Sequence, residues 1–320
     1  MTKSALSPPS LNLIQSPIPW LYAFWKFSRA HTMVGTSLSL LGVFAMAWAL
    51  RHPLGLVPGT FDVWQALSCL WITWLACICA NLYIVGLNQI EDVAVDRVHK
   101  PYLPVASGEF SAAQAKMLVG MAGSAAVLLA VASNSVYLVA SILLSLVIGS
   151  MYSLPPLQLK RFPVFGSLCK LLVRGVVVNV GIFLHAASQL GLTAQIPPQI
   201  WVLTLVIMIF SGAIALLKAL WDDASSAGDL DVSYNIRIVW WLLTACYSGL
   251  IVTAIFIPAA NTSFLMVTHG LALVYFWTLG RQLYPTETGE LSYREFYQCV
   301  WKLFFLEYLI FPTACLLNPL

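Results

Sequence analysis

The stretch LWITWLACICANLYIVGLNQIEDVAVDRVHKP, Leu70–Pro101, decides the fold. It sits in an apolar run from about 65 to 87 that carries no charged side chain, and a membrane-spanning helix needs roughly 20 mostly apolar residues. Polar residues then arrive together: Asn88, Glu91, Asp92, Asp96, Arg97 and Lys100. Asn88, Asp92 and Asp96 are four apart, so a helix stacks them along one face with about 40° of drift per step. Apolar sequence runs up to Asn88, and the spacing predicts that the helix continues from the membrane into this column. An amide and two carboxylates at the end of such a helix are costly near hydrocarbon unless a cation compensates. Oxygen-only ligands suit a hard cation, and Mg2+ is typically held by one or two carboxylates plus a substrate phosphate. Arg97 and Lys100 stand nearby for phosphate oxygens. The plainer alternatives are a solvated cytoplasmic loop, or intrahelical pairing of Asp96 with Lys100 at i,i+4, which explains one pair but not the column. Pro101 and Pro104 end the helix.

The rest of the chain has the same character. Of its 320 residues 60% are hydrophobic and only 9% charged, with a mean hydropathy of +0.84. Soluble domains carry about 25% charged residues, so a water-soluble globule, a disordered chain and a nucleic-acid binder are all excluded. The expected class is all-α, a multi-span bundle of about nine helices. Candidate spans lie at about 32–50, 65–87, 113–132, 135–153, 168–188, 199–217, 238–260, 262–280 and 298–317. Tight turns are expected near Ser133–Ser135 and at Asn261. Residues 1–31 read as an N-terminal segment and 32–320 as a single transmembrane domain, with no cleavable signal peptide expected. The cysteines at 69, 77, 79, 169, 246, 299 and 315 are an odd number without paired spacing. They read as small apolar helix residues, not as a disulfide framework or a zinc site.

Charge sets the expected orientation. With nine spans, the N-terminus and the segments after spans two, four, six and eight share one side. Twelve basic residues lie in or beside those segments, whereas only Arg51 lies in an opposite loop. The positive-inside bias therefore predicts a cytoplasmic N-terminus and cytoplasmic functional loops. Glu91, Asp92, Asp96 and Glu109 follow span two, and Asp222, Asp223, Asp229 and Asp231 follow span six.

Asn88-x-x-x-Asp92-x-x-x-Asp96 resembles the first aspartate motif of the UbiA superfamily of intramembrane prenyltransferases. The run VGLNQIEDVAVDRVHKPYLPVASGEFS is similar to that of the homogentisate prenyltransferase branch. So are FWKFSRAHTMVGTSLS (Phe24–Ser39), MYSLPPLQLKRF (Met151–Phe162), VRGVVVNVG (Val173–Gly181), IWVLTL (Ile200–Leu205) and WKLFFLEYLIFP (Trp301–Pro312), so the resemblance spans nearly the whole chain. It implies helices around a central cavity, opening toward the cytoplasmic side. It also implies a polyprenyl diphosphate bridged by Mg2+ between two acidic motifs, and an integral, multi-pass protein of the endoplasmic reticulum in a eukaryote or of the plasma or thylakoid membrane in a bacterium.

The second motif departs from the family's pattern, Lys-Asp-x-x-Asp-x-x-x-Asp. Lys218 and Asp222 match, Ala219 replaces the first aspartate, and Ser226 stands where the third falls without a gap. Gly228-Asp229 preserves the usual ending only after a three-residue insertion. Asp222, Asp223 and either Asp229 or Asp231 still offer oxygens; an irregular loop that no longer binds metal is the competing reading. The implied metal set is thus Asn88, Asp92, Asp96, Asp222, Asp223 and Asp229, with Asp92, Asp96, Asp222 and Arg174 catalytic. The implied diphosphate set is Arg97, Lys100, Lys160, Arg161, Arg174 and Lys218. Lys160 and Arg161 are alternatively headgroup anchors, and Arg174 alternatively pairs with Glu307. Tyr83 and Tyr152 are candidates to stabilise a carbocation with their ring faces, while His185 and His269 read as structural.

Chemically, an allylic diphosphate ionises when its departing charge is neutralised, and a water-free cavity protects the cation. Capture by an aromatic, homogentisate-like acceptor makes the chain a prenyltransferase; attack on its own chain makes it a terpene cyclase acting on, for example, farnesyl diphosphate. A transporter or scaffold fits poorly, because transporter sites lie near the bilayer midplane and these carboxylates cluster at one face.

Overall fold

The computed structural model describes residues 11–51, 63–224, 232–283 and 289–318. Among the described residues every regular element is helical. In order they are α1 (Pro17–Phe27), α2 (Ala30–Arg51), α3 (Val63–Glu91), α4 (Val93–His99), α5 (Pro104–Ser107), α6 (Ala112–Ala132) and α7 (Val136–Ser153). Then come α8 (Pro163–Leu171), a π-helical stretch Leu172–Gly181, α9 (Ile182–Gln189), α10 (Pro198–Ala224), α11 (Val232–Thr253), α12 (Thr262–Leu283) and α13 (Gly289–Leu316). Nine helical segments among the described residues are long and apolar enough to cross a membrane. Most ends fall within a few residues of the expected spans; the fifth and ninth begin five residues earlier, at Pro163 and Tyr293, and the fifth contains the π-helical stretch that hydropathy could not reveal.

Local chemistry sets the helix ends. α6 opens on a capping box: the Gln114 amide donates to Ser111 Oγ at 3.2 Å, and Ser111 N–H donates to Gln114 Oε1 at 2.9 Å, satisfying two otherwise orphaned donors. Asn134 turns the chain between α6 and α7 with a φ of 52°, a left-handed conformation that asparagine tolerates. Asn261 caps α12 by accepting from Phe264 N–H at 2.9 Å. All seven cysteines are free.

The chain divides into two compact units, Met1–Ser37 with Trp71–Arg161, and Leu38–Leu70 with Phe162–Leu320. The core of the first unit joins α1 to α3 and α6 through Ala23, Phe27, Leu82, Leu87, Phe110, Ala115, Val119 and Ala122. Gly86 is what lets these helices close: a Cβ there would lie 2.7 Å from both the Phe27 ring and Val119.

In the second unit α10 packs against the π-helical stretch, α11 and α13, and α12 packs against α11 and α13. Pro312 lies inside α13, and proline has no N–H to give the carbonyl four residues earlier, that of Tyr308. That carbonyl oxygen would be 2.6 Å from a Cβ on Gly42. The freed acceptor therefore sits against a residue without a side chain, where α2 can approach α13 closely. Because the clash would be with backbone, Gly42→Val cannot be relieved by a rotamer change. It is expected to cost about 1–3 kcal/mol, read as a lowered unfolding temperature of the detergent-solubilised protein; an unchanged melting curve would refute the close contact.

Candidate active site

In the first unit α3 ends at Glu91 and α4 begins at Val93, with Asp92 between them at φ −100° and ψ 16°. The helical ladder nevertheless carries through. Asp92 N–H donates to the Asn88 carbonyl at 3.0 Å, Asp96 N–H to that of Asp92 at 2.7 Å, and Lys100 N–H to that of Asp96 at 2.7 Å. Each step is one i→i+4 bond, so the expected column of Asn88, Asp92 and Asp96 forms at the end of a membrane-length helix.

The side chains are differently placed along it. Asn88 Nδ2 donates to Asp92 Oδ2 at 2.9 Å, while Lys160 Nζ donates to Asp92 Oδ1 at 2.6 Å. Both oxygens of Asp92 thus have partners. Asp96 is only 2% exposed. Its Oδ1 takes a 3.3 Å contact from Lys100, the i,i+4 pair the sequence allowed for, and its Oδ2 is buried without a partner among the described residues. Carboxylates are rarely so buried unless paired, and an unmatched oxygen at such a place is costly. A hard cation fits this donor set: two anionic carboxylates and an amide, all oxygen ligands in kind, with one buried oxygen still unengaged. Among the described residues no group of three or more His, Cys, Asp or Glu side chains placed to hold a metal comes together.

Lys160 reaches Asp92 from the turn after α7. Gln158 takes a φ of 37° and its N–H bonds the Leu154 carbonyl at 2.8 Å; Arg161 N–H then closes onto Gln158 at 2.9 Å. This compact turn aims Lys160 inward and leaves Arg161 exposed. Arg97 is also exposed, on α4. Tyr83 is held in packing: its ring lies where a Cβ on Gly123 would be, and its hydroxyl is 2.8 Å from Ser150 Oγ. Tyr152 is half-buried near the end of α7.

The second unit carries Arg174. A π-helix turns about 4.4 residues per turn instead of 3.6, so Arg174 and Asn179, five apart, come close to one face. Trp301 and Tyr308, seven apart on α13, share a face as well. The two faces meet: the Arg174 guanidinium lies 5.1 Å from the Trp301 ring centroid, and Tyr308 hydroxyl donates to Asn179 Oδ1 at 2.9 Å. Glu307, the rival partner for Arg174, accepts from Tyr247 and His269 at 3.1 Å each. His269 thus lies in a hydrogen-bonded group with Glu307 and Tyr247.

A family model described as the UbiA prenyltransferase family matches residues 42–300. The chain belongs to that family. It is 39% identical over 306 residues to the homogentisate phytyltransferase of Synechocystis sp., covering 92% of this chain and 96% of that one. It is 33% identical to the chloroplastic homogentisate solanesyltransferase of Arabidopsis thaliana, covering 91% and 76%. Among solved structures it is similar to a UbiA homolog from Archaeoglobus fulgidus bound to GPP and Mg2+, at a TM-score of 0.53 and 16% identity over 91% and 99% of the two chains. A digeranylgeranylglyceryl phosphate synthase matches at a TM-score of 0.62 and 12% identity over 92% and 98%. These two likenesses concern the fold.

For this UbiA-family chain the second motif is only partly in view. Lys218 is exposed on α10, and α10 carries the backbone of Asp222 and Asp223 to its end at Ala224. Their side chains, and Asp229 and Asp231 altogether, lie outside the described residues. Sequence reasoning missed two features: that Lys160 pairs with Asp92 across 68 positions, and that Trp301 faces Arg174. No periodicity links residues on separate helices, although the Trp301–Pro312 run was already singled out. Asn179 is fully buried and its Nδ2 has no partner, so Tyr308→Phe strips the carboxamide of the hydrogen bond it has. A cost of about 1–3 kcal/mol is expected, measured as reduced thermal stability; an unshifted transition would mean the bond is not formed.

Proposed function

We propose that this chain transfers the prenyl group of a polyprenyl diphosphate to an aromatic, homogentisate-like acceptor, using a divalent cation held by the aspartate column. The observation that carries the reading is Asp96 Oδ2, a buried carboxylate oxygen without a partner among the described residues, at the end of a membrane-length helix. The relatives quoted above are named as homogentisate prenyltransferases, which supports transfer to an acceptor over self-cyclisation. The GPP and Mg2+ of the Archaeoglobus fulgidus protein support the ligand classes.

In this reading Asp92 and Asp96 hold Mg2+ from one side and Asn88 orients Asp92 through their hydrogen bond. Asp222, Asp223 and Asp229 supply the second set of oxygens. A Mg2+ held there would supply charge neutralisation for the departing diphosphate. Lys160, beside Asp92, receives diphosphate oxygens with Lys100, Arg97, Arg161, Arg174 and Lys218. Trp301 holds the Arg174 guanidinium against its ring, which limits the arginine's freedom before substrate arrives. Tyr83 and Tyr152 offer ring faces to the allylic cation, and the membrane setting keeps water from it. The reading also has one transmembrane domain over 32–320, with the N-terminus and the site's mouth cytoplasmic, in the thylakoid or plasma membrane if the source is bacterial and the endoplasmic reticulum if it is eukaryotic.

Asp92→Ala and Asp96→Ala are each expected to lower turnover by about a hundredfold or more in membranes supplied with phytyl or geranylgeranyl diphosphate, homogentisate and Mg2+. Membrane-inserted protein should remain at the wild-type level, and a chelator should mimic both variants until Mg2+ is restored. Retained activity in either variant would overturn its metal role. A cyclic hydrocarbon formed without acceptor would overturn the transferase reading.

A further inference from the structure

α1 is only 11 residues long, about 16 Å at 1.5 Å per residue, roughly half of what a hydrocarbon core requires. Its neighbours fix its level. Leu11 N–H donates to the Glu109 carbonyl at 2.9 Å and Gln114 Nε2 to the Leu11 carbonyl at 2.7 Å. Lys26 Nζ donates to Glu109 Oε1 at 2.6 Å, and Gln89 Nε2 to the Phe27 carbonyl at 2.7 Å. Gln89 lies near the end of the span Trp64–Glu91, Gln114 near the start of the span Ala112–Ala132, and Glu109 in the connection between them. α1 is therefore tied to a point where two spans end.

Both faces of this short helix are apolar. The inner face puts Ala23 and Phe27 into the core, and Trp20 stacks on Phe24 at 5.4 Å between centroids. The outer face is a stripe of Ile14, Ile18, Leu21, Tyr22 and Trp25, with Ile14 90% and Ile18 78% exposed. Steps of four, three, one and three residues make it one continuous helical face running from the turn before α1. A segment that is apolar all round is not stable beside water. Leaving side chains of this size against water is unfavourable, so something apolar must cover them. What lies next to them by chain continuity is the bilayer: only Ser28 and Arg29 separate α1 from α2, the first span. The stripe holds tyrosine and tryptophan, the residues that favour headgroup level, and Lys26 flanks it with its ammonium 5.0 Å from the Tyr22 ring centroid.

We propose that α1 is an interfacial helix whose Ile14–Trp25 stripe seats in the headgroup–acyl boundary of the protein's own bilayer. Through the Gln89–Phe27 hydrogen bond, one residue from Asn88, the seated helix sets the height of the aspartate column at the membrane face. The inference stands on α1 alone and is independent of the reaction the chain performs.

The test uses the full chain in nanodiscs of phosphatidylcholine and phosphatidylglycerol, with the photocrosslinker p-benzoylphenylalanine at Ile18 and, separately, at Tyr22. Leu128, exposed on the spanning helix α6, is the positive control. After irradiation, intact mass is expected to rise by one phospholipid at both α1 positions, with attachment mapped by fragmentation to the glycerol and upper acyl carbons. Adducts to a second copy of the chain would overturn the proposal. So would no adduct at both α1 positions while Leu128 labels, or attachment confined to the acyl ends.

Discussion

The structure depends on how an apolar helix terminates in carboxylates without leaving charge stranded at the edge of hydrocarbon. A carboxylate there keeps its charge only if a cation or several donors face it. The chain answers this unevenly along three turns of α3 and α4. Asp92 receives an amide on one oxygen and an ammonium on the other. Asp96, one turn on and more deeply buried, receives a single longer contact and keeps an oxygen unmatched. The neighbouring elements follow from this. The turn that carries Lys160 needs a left-handed residue at Gln158 to reach Asp92, and the pairing ties the end of α7 to the end of α3 from 68 positions away.

Features repeated along one segment were legible before any coordinates. Nine apolar runs gave nine helical segments of spanning length among the described residues, because hydropathy averages over many residues and tolerates errors at the ends. The i,i+4,i+8 spacing of Asn88, Asp92 and Asp96 foretold the column, because one helical period fixes it. Asn261 was legible as a turn because its side chain acts within three residues of itself. What escaped depends on two segments at once. Hydropathy cannot say that Val173–Gly181 winds as a π-helix, since the same residues are apolar in either winding, yet the wider turn is what aligns Arg174 with Asn179. Gly42 reads as one small residue among many until it is set against the carbonyl that Pro312 leaves free. α1 escaped for a related reason: too short and too apolar on every side to stand out from the spans, it was read only as part of an N-terminal segment.

The second unit shows that intramembrane polarity has two different uses. Glu307 is fully buried in α13, and so are its partners Tyr247 on α11 and, to 1% exposure, His269 on α12. Tyr247 donates to one carboxylate oxygen and His269 faces the other, while His269 Nδ1 lies 2.7 Å from the Leu265 carbonyl. The network joins three helices, and each carboxylate oxygen is matched. A closed network of this kind fixes helix register in a setting where apolar packing alone discriminates weakly between neighbours.

Burial by itself therefore does not distinguish Glu307 from Asp96, since both are buried. The difference lies in what remains unsatisfied. Removing one partner from Glu307 would break a completed set, whereas Asp96 already has an oxygen that no donor among the described residues reaches. Stability alone favours matching or removing such a group. An unmatched oxygen at the end of a membrane-length helix, one turn beyond an aspartate held by lysine, is the feature on which the proposed metal role rests.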